Sequence, residues 1–357
     1  MNTFRLWLNV LMPLMLFSPA FIVEVAAAEI PIQQVVGPEI PGKYKHPASI
    51  TELDNGDLLV VYFGGDGEYQ PGTAIYGVRL AKGESKWSEP VMLANTPERM
   101  DGNAVIWQTP HQDVWLLYVT RYGKEWSTAR IKLKISTDGG RTFSDSMLVT
   151  EEIGYMVRNK PIVKRDGNYL IPIYHEYGTD TEVSDGRNTG LFLHYDVEER
   201  TFTKSQEFGY RKGVEQPAVV QLSDEHFIAY CRRGGDYNET DDGWMVFTES
   251  HDGGWTWTPG TDSPFPNPNS AIDLTQLANG HLLLIYNDHM FKRRKLTVAR
   301  STDGGKTFPN LKVLLDDDAG MAYPYMIQAK NGDIHVIFTY NRVKVMHAVF
   351  QEDDLLK

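Results

Sequence analysis

Glu215-Gln216-Pro217-Ala218-Val219-Val220-Gln221-Leu222, the turn Ser223-Asp224-Glu225-His226, and Phe227-Ile228-Ala229-Tyr230-Cys231-Arg232-Arg233 form the stretch that decides the fold. Two short apolar runs rich in β-branched and aromatic residues flank a polar turn, which is the pattern of an antiparallel hairpin and too short for a helix. A third apolar-rich run, Trp244 to Thr248, follows a polar loop and closes in Ser250-His251-Asp252-Gly253-Gly254-Trp255-Thr256-Trp257. The unit is therefore three strands with charged groups gathered at one end.

The pattern recurs around Asn55-Gly56, Gln112-Asp113, Asp166-Gly167, Asp224-Glu225, Asn279-Gly280 and Asn331-Gly332, at spacings of 57, 54, 58, 55 and 52 residues. A repeat of this length cannot bury both faces of its own sheet, and stacking copies around an axis buries them. The expected fold is all-β, a six-bladed β-propeller filling residues 29–357 as a single domain.

Ser136-Thr137-Asp138-Gly139-Gly140-Arg141-Thr142-Phe143, Ser250 to Trp257, and Ser301-Thr302-Asp303-Gly304-Gly305-Lys306-Thr307-Phe308 share the form Ser-x-Asp-Gly-Gly-x-Thr-aromatic. An aspartate that accepts backbone N–H groups, glycines that allow positive φ, and an aromatic that packs between strands make this a turn device, not a reaction centre. Degenerate copies run from Lys82 to Trp87 and from Asp196 to Phe202.

At the N-terminus, Arg5, the apolar run from Leu6 to Val23 broken by Pro13 and Pro19, and Ala26-Ala27-Ala28 read as a secretory leader over residues 1–28. This implies a secreted or periplasmic protein with no membrane span once the leader is removed. One cysteine, Cys231, rules out an intrachain disulfide. A net charge of −12 from 35 basic and 47 acidic residues argues against nucleic acid as the partner. No Cys/His cluster has zinc spacing, and no cofactor is implied.

In an up-and-down blade the start of strand one and the link from strand two to strand three share a face, so their residues line the central mouth. The strand-one starts are Lys45-His46, Asn103, Arg158-Asn159-Lys160, Glu215-Gln216, Asn267 with Asn269-Ser270, and Tyr323. The strand-two ends are Asp66 with Glu68, Arg121-Tyr122, His175-Glu176-Tyr177, Arg232-Arg233, Asn287-Asp288-His289, and Tyr340-Asn341-Arg342. Ionisable groups converging on one mouth form a candidate site.

The three Asp boxes, the six-fold period, Glu215 to Leu222, and Lys292-Arg293-Arg294-Lys295-Leu296-Thr297 before the last box resemble the sialidase (neuraminidase) superfamily, in its bacterial Asp-box (BNR repeat) branch. The resemblance implies a retaining exo-glycosidase, acting on a glycan that carries a terminal acidic sugar. Family members hold the sugar carboxylate with three arginines, because planar guanidinium groups match it bidentately. By resemblance Arg232 takes the second position and Arg294 the third, with Arg233 and Arg293 as neighbours able to take either role. The first position, an arginine in the family, is here Lys45-His46-Pro47. The family nucleophile, a tyrosine helped by a glutamate, falls on Tyr323 and Glu215, and the acid/base on Asp66 or Glu68. Arg158, Asn269 and His175 complete the expected substrate-binding set.

Other readings remain. Glu215 could simply pair with Arg232, Tyr323 could be a packing aromatic, and a propeller of this kind could bind a glycan without cleaving it. A polysaccharide lyase acting on uronates would use Lys45, His46, Tyr174, His175 and Tyr323 instead. Three guanidinium groups converging on one point favour the hydrolase; a His/Tyr pair beside a single arginine favours the lyase.

Overall fold

Val114–Arg121, Leu282–Asn287 and Ile334–Tyr340 are strings of aliphatic, β-branched and aromatic residues, and each forms the second strand of a four-stranded antiparallel sheet. Nearly every residue in them is buried on both faces, because neighbouring sheets cover each one. This computed structural model describes residues 30–39, 41–180 and 182–357. The expected leader over residues 1–28 lies outside the described residues. Among those described, no helix is long and apolar enough to cross a membrane.

Six sheets stack as the blades of a propeller, five of four strands and one whose inner strand is split in two. The first strands of successive blades pack against one another, except that blade three meets blade four through its second strand, Tyr169–His175, and the first strands surround the axis. In chain order they are Tyr44–Glu52, Met100–Gln108, Tyr155–Val157 with Ile162–Val163, Val214–Gln221, Asp273–Gln276 and Met321–Gln328. Ile32–Val36 pairs antiparallel with Lys344–Phe350 and supplies the outer strand of blade six, tying the two ends of the ring together.

Polar side chains cross-link the inner strands. Ser49 Oγ donates to the Ala104 carbonyl (3.0 Å) and accepts the Ile106 N–H (2.9 Å), joining blades one and two. Asn159 Nδ2 donates to the carbonyls of Gln216 and Pro217, joining blades three and four. Lys160 Nζ lies 2.6 Å from both oxygens of Asp273, one of which also accepts the Met326 N–H (2.7 Å), so one buried ion pair links blades three, five and six.

The Asp boxes are turn devices, as their chemistry implies. Asp138 Oδ1 accepts the N–H groups of Arg141 (3.0 Å) and Thr142 (2.9 Å), while Ser136 Oγ donates to Asp138 (2.7 Å) and accepts the Gly140 N–H (2.8 Å). Asp252 and Asp303 likewise accept the Thr256 and Thr307 N–H groups.

One repeated distortion positions the site. The pairing of strands one and two slips between Lys45 and Ala48, Gly102 and Val105, Glu215 and Ala218, and Ala322 and Tyr325. In three of these bulges the extra residue is left-handed: Asn103, Gln216 and Tyr323 have φ of 47°, 50° and 55°, and Asn269, before blade five, has 54°. A left-handed tyrosine or glutamine costs about 1–2 kcal/mol against its right-handed form. The bulge turns the side chain out of the pleat and toward the axis.

Candidate active site

Arg232 is the hub of the mouth. It is the last residue but one of the second strand of blade four, directly opposite Glu215 in the ladder, so geometry alone brings the two together. Its Nη1 donates to the Tyr323 hydroxyl (2.7 Å) and lies 3.3 Å from Glu215 Oε2. Its Nε donates to Asn269 Oδ1 (2.6 Å) and its Nη2 to the Tyr237 hydroxyl (3.2 Å). Burial works against the charge, but Glu215 and the surrounding phenols outweigh it and hold the guanidinium protonated. Glu215 is itself buried and accepts Asn188 Nδ2 (3.0 Å).

Tyr323 therefore shares one arginine nitrogen with Glu215, and its ring is hemmed in by cations. The guanidinium carbons of Arg158, Arg293 and Arg232 lie 5.4, 5.5 and 5.8 Å from the ring centre. The His46 ring meets it edge-on at 4.1 Å. Burial first, then the charges of Arg342, Arg293, Arg158 and Arg232, push the His46 pKa well below its ordinary value, so the ring is neutral. Its Nδ1 bonds Thr339 Oγ1 (3.1 Å), whereas Nε2 is buried with no partner among the described residues.

Three guanidinium groups, those of Arg232, Arg293 and Arg342, line the same cavity as Tyr323, Glu215 and His46. Arg293 is braced by the Asn269 carbonyl (2.5 Å) and stacks on Tyr237. Arg342 sits at the hairpin tip between the second and third strands of blade six and pairs with Glu68 (3.0 Å). Glu68 also accepts the Tyr44 hydroxyl. A further carboxyl, Glu176, lines the cavity from blade three. Burial, and then the Glu215 charge, raise its pKa well above the usual carboxylate range, with Arg232 opposing.

Of the expected site residues, Tyr323, Glu215, Glu68, Arg232 and His46 thus meet in one cavity. Asn269 positions two of its arginines. The others lie elsewhere, each for a local reason. Lys45 is on the paired side of the bulge, where its Nζ donates to the Gly42 carbonyl (2.5 Å), and His46 takes the mouth-facing place. Asp66 is exposed and outside the lining, which Glu68 joins instead. Arg294 faces outward to Asp316 (2.8 Å) and Asp318 (2.8 Å), leaving the cavity to Arg293. Arg233 is buried beneath the mouth, donating to the Asn267 carbonyl (2.7 Å). Arg158 is fully buried beneath Tyr323 and donates to its carbonyl (2.8 Å). His175 pairs with Glu207 (3.3 Å) and packs against the tilted Tyr177 ring outside the lining.

Arg342 and Glu176 were visible only as strand-two ends. Nothing in the sequence assigns them a role, because the contacts that do so come from blades far away in the chain.

The family described as the BNR repeat-like domain matches residues 56–336. No curated protein matches the chain by sequence. Among solved structures it is similar to the Hadza microbial sialidase Hz136, at 15% identity and TM-score 0.72, over 87% of this chain and 66% of that one. It is similar to the NanB sialidase from Streptococcus pneumoniae, at 12% identity and TM-score 0.72, over 91% and 71% of the two chains. The intramolecular trans-sialidase from Ruminococcus gnavus, in complex with oseltamivir carboxylate, matches at 12% identity and TM-score 0.71, over 90% and 97%. At these identities the likeness is one of fold.

Proposed function

The chain belongs to the BNR repeat-like family of sialidase-type propellers, and from that premise we propose that it is a glycoside hydrolase removing a terminal sialic acid or related acidic sugar from a glycan. The observation carrying this reading is that Arg232, Arg293 and Arg342, from three blades, line one cavity with Tyr323 and Glu215. Planar guanidinium groups are the residue type best matched to a carboxylate, and three together suit a ligand that brings its own negative charge.

The sugar carboxylate sits among the three arginines, which places the anomeric carbon near Tyr323. The phenol oxygen attacks that carbon and its proton passes to Glu215, as the bond to the leaving oxygen breaks. A neutral nucleophile avoids repulsion with the carboxylate, and a phenol needs a base beside it to attack at neutral pH. Arg232, already 2.7 Å from the hydroxyl, stabilises the developing phenolate. The leaving oxygen takes its proton from a cavity carboxyl. Glu176 suits this role because its raised pKa keeps it protonated, whereas Glu68 is held by Arg342 as a brace. Water then attacks the glycosyl–tyrosine bond with net retention.

The lyase reading is weakened because Lys45 and His175, two of its parts, lie outside the cavity. The leader expected over residues 1–28 further suggests that the enzyme acts outside the cytoplasm. Incubation with aryl sialosides and, in parallel, with uronate polysaccharides tests the proposal. Release of the aryl group supports it; an ultraviolet-absorbing unsaturated product, or no product from either set, overturns it.

A further inference from the structure

On the face opposite the mouth, blade four carries a group of side chains unrelated to the carbohydrate site. His226 lies just before the strand Phe227–Arg233, and Glu249 and His251 flank Ser250 at the end of Trp244–Ser250. Phe227 pairs with Ser250 and Ile228 with Glu249, so the ladder sets His226 across from His251. Side chains two apart on a strand share a face, which places Glu249 beside both imidazoles. Ser250 points the other way, donating to Asp252 (2.8 Å) and accepting the Gly254 N–H (3.0 Å).

The donor atoms converge. Glu249 Oε2 lies 3.0 Å from His226 Nε2 and 3.4 Å from His251 Nε2, and one ligand atom from each residue falls within 4.8 Å of the other two. The two imidazoles stack at 4.5 Å and 20°. Ligand atoms bound at about 2.0–2.1 Å to a tetrahedral zinc stand roughly 3.3–3.4 Å apart. The two contacts to Glu249 match that separation, and turning the two stacked imidazoles so that a nitrogen of each faces the same point lets a metal enter.

We propose that His226, Glu249 and His251 form a binding site for a divalent transition metal, with zinc the best match to two imidazoles and a carboxylate. The fourth position is left to water, consistent with side chains that are 32%, 34% and 63% exposed. The spacing escapes a motif search because the third ligand comes from across a hairpin, 23 residues before Glu249. The bound metal clamps the first turn of blade four to its Asp box, a junction otherwise held by the Gly253 N–H to Glu225 carbonyl bond (3.0 Å). Arg232 lies at the other end of the same strand, roughly 20 Å away at about 3.3 Å per residue, so the clamp is separate from the carbohydrate site.

Chelator-treated, tag-free full-length protein is titrated with zinc chloride by calorimetry, and with Cu²⁺ for electron paramagnetic resonance. The expected result is one saturable equivalent per chain, nitrogen hyperfine coupling from two imidazoles, and a melting temperature that rises with zinc. His251→Ala, at an exposed position, and Glu249→Gln each weaken zinc at least tenfold while the metal-free melting temperature changes little. His281→Ala, at the separate His281–Glu352 pair, leaves binding unchanged. The absence of a saturable equivalent, or equal affinity in wild type, His251→Ala and Glu249→Gln, overturns the proposal and leaves only ion pairs to Glu249.

Discussion

Arg342 offers the cleanest test of the carboxylate clamp, because Arg232 cannot be removed without a second effect. Truncating Arg232 strands Glu215, whose side chain is 3% exposed, and breaking a buried pair of this kind costs about 3–5 kcal/mol of stability. Arg342 is 42% exposed, and its partner Glu68 keeps the Tyr44 hydroxyl as a donor, so its loss leaves the fold standing. A charge-assisted hydrogen bond contributes about 1.5–3 kcal/mol, and the partial solvent screening at Arg342 puts it near the bottom of that range. Arg342→Gln should therefore weaken a sialic acid analogue by about 1.5 kcal/mol, roughly tenfold. Arg342→Gln also frees Glu68, so the assay is a two-by-two cycle: wild type and variant, each titrated calorimetrically with the free acid and its methyl ester. Changes at Glu68 affect both ligands and cancel, and the coupling isolates the contact to the carboxylate. The expected coupling is about 1–1.5 kcal/mol. Equal losses for acid and ester, or no loss for either, would refute the clamp.

Arg293→Ala should raise the KM for an aryl sialoside at least tenfold, whereas Arg294→Ala, which breaks only surface pairs to Asp316 and Asp318, should keep kcat/KM within about twofold of wild type. Steady-state kinetics on the two variants decides which arginine serves the site. Glu176→Gln should slow hydrolysis of unactivated glycans by orders of magnitude and spare nitrophenyl substrates, whose leaving groups need no proton. In the wild type, hydrolysis of unactivated glycans should decline as pH rises through the raised Glu176 pKa; identical losses on both substrate types would remove Glu176 as proton donor. Hydrogen bonds from Thr142 and Ser136 hold the Asp138 pKa below the ordinary carboxylate value. Its stabilising effect is thus complete above the unfolded pKa of about 3.9 and lost as pH falls through the folded value. Asp138→Asn should lower the melting temperature at pH 7, with the gap narrowing below about pH 4 and no change in kcat; a gap that widens in acid would contradict this sign.

The six turns, the Asp boxes and the strand ends were legible in the sequence because each is a local signal. Asn55-Gly56 and Asp138-Gly139-Gly140 report their own backbone, and alternating apolar runs report the strands. The choice between adjacent residues was not legible. Lys45 and His46, or Arg293 and Arg294, exchange faces on a one-residue slip, and the slip at the Lys45–Ala48 bulge leaves no mark in the residue types. Nor does the sequence reveal that Arg342 reaches Glu68 across 274 positions, since the packing of blade six against blade one sets that distance. The positive φ of Tyr323 is a further case: nothing in Ala322-Tyr323-Pro324 announces it, yet it aims the phenol at Arg232.

The central claim is that Tyr323 is the nucleophile in a pocket built for a sugar acid. A fluorinated sialosyl fluoride, which slows hydrolysis of a glycosyl–enzyme bond more than its formation, tests this directly when the digested protein is read by mass spectrometry. The account predicts one adduct per chain on the peptide containing Tyr323, and none in Tyr323→Phe. An adduct on another residue, or unchanged turnover by Tyr323→Phe, would contradict it.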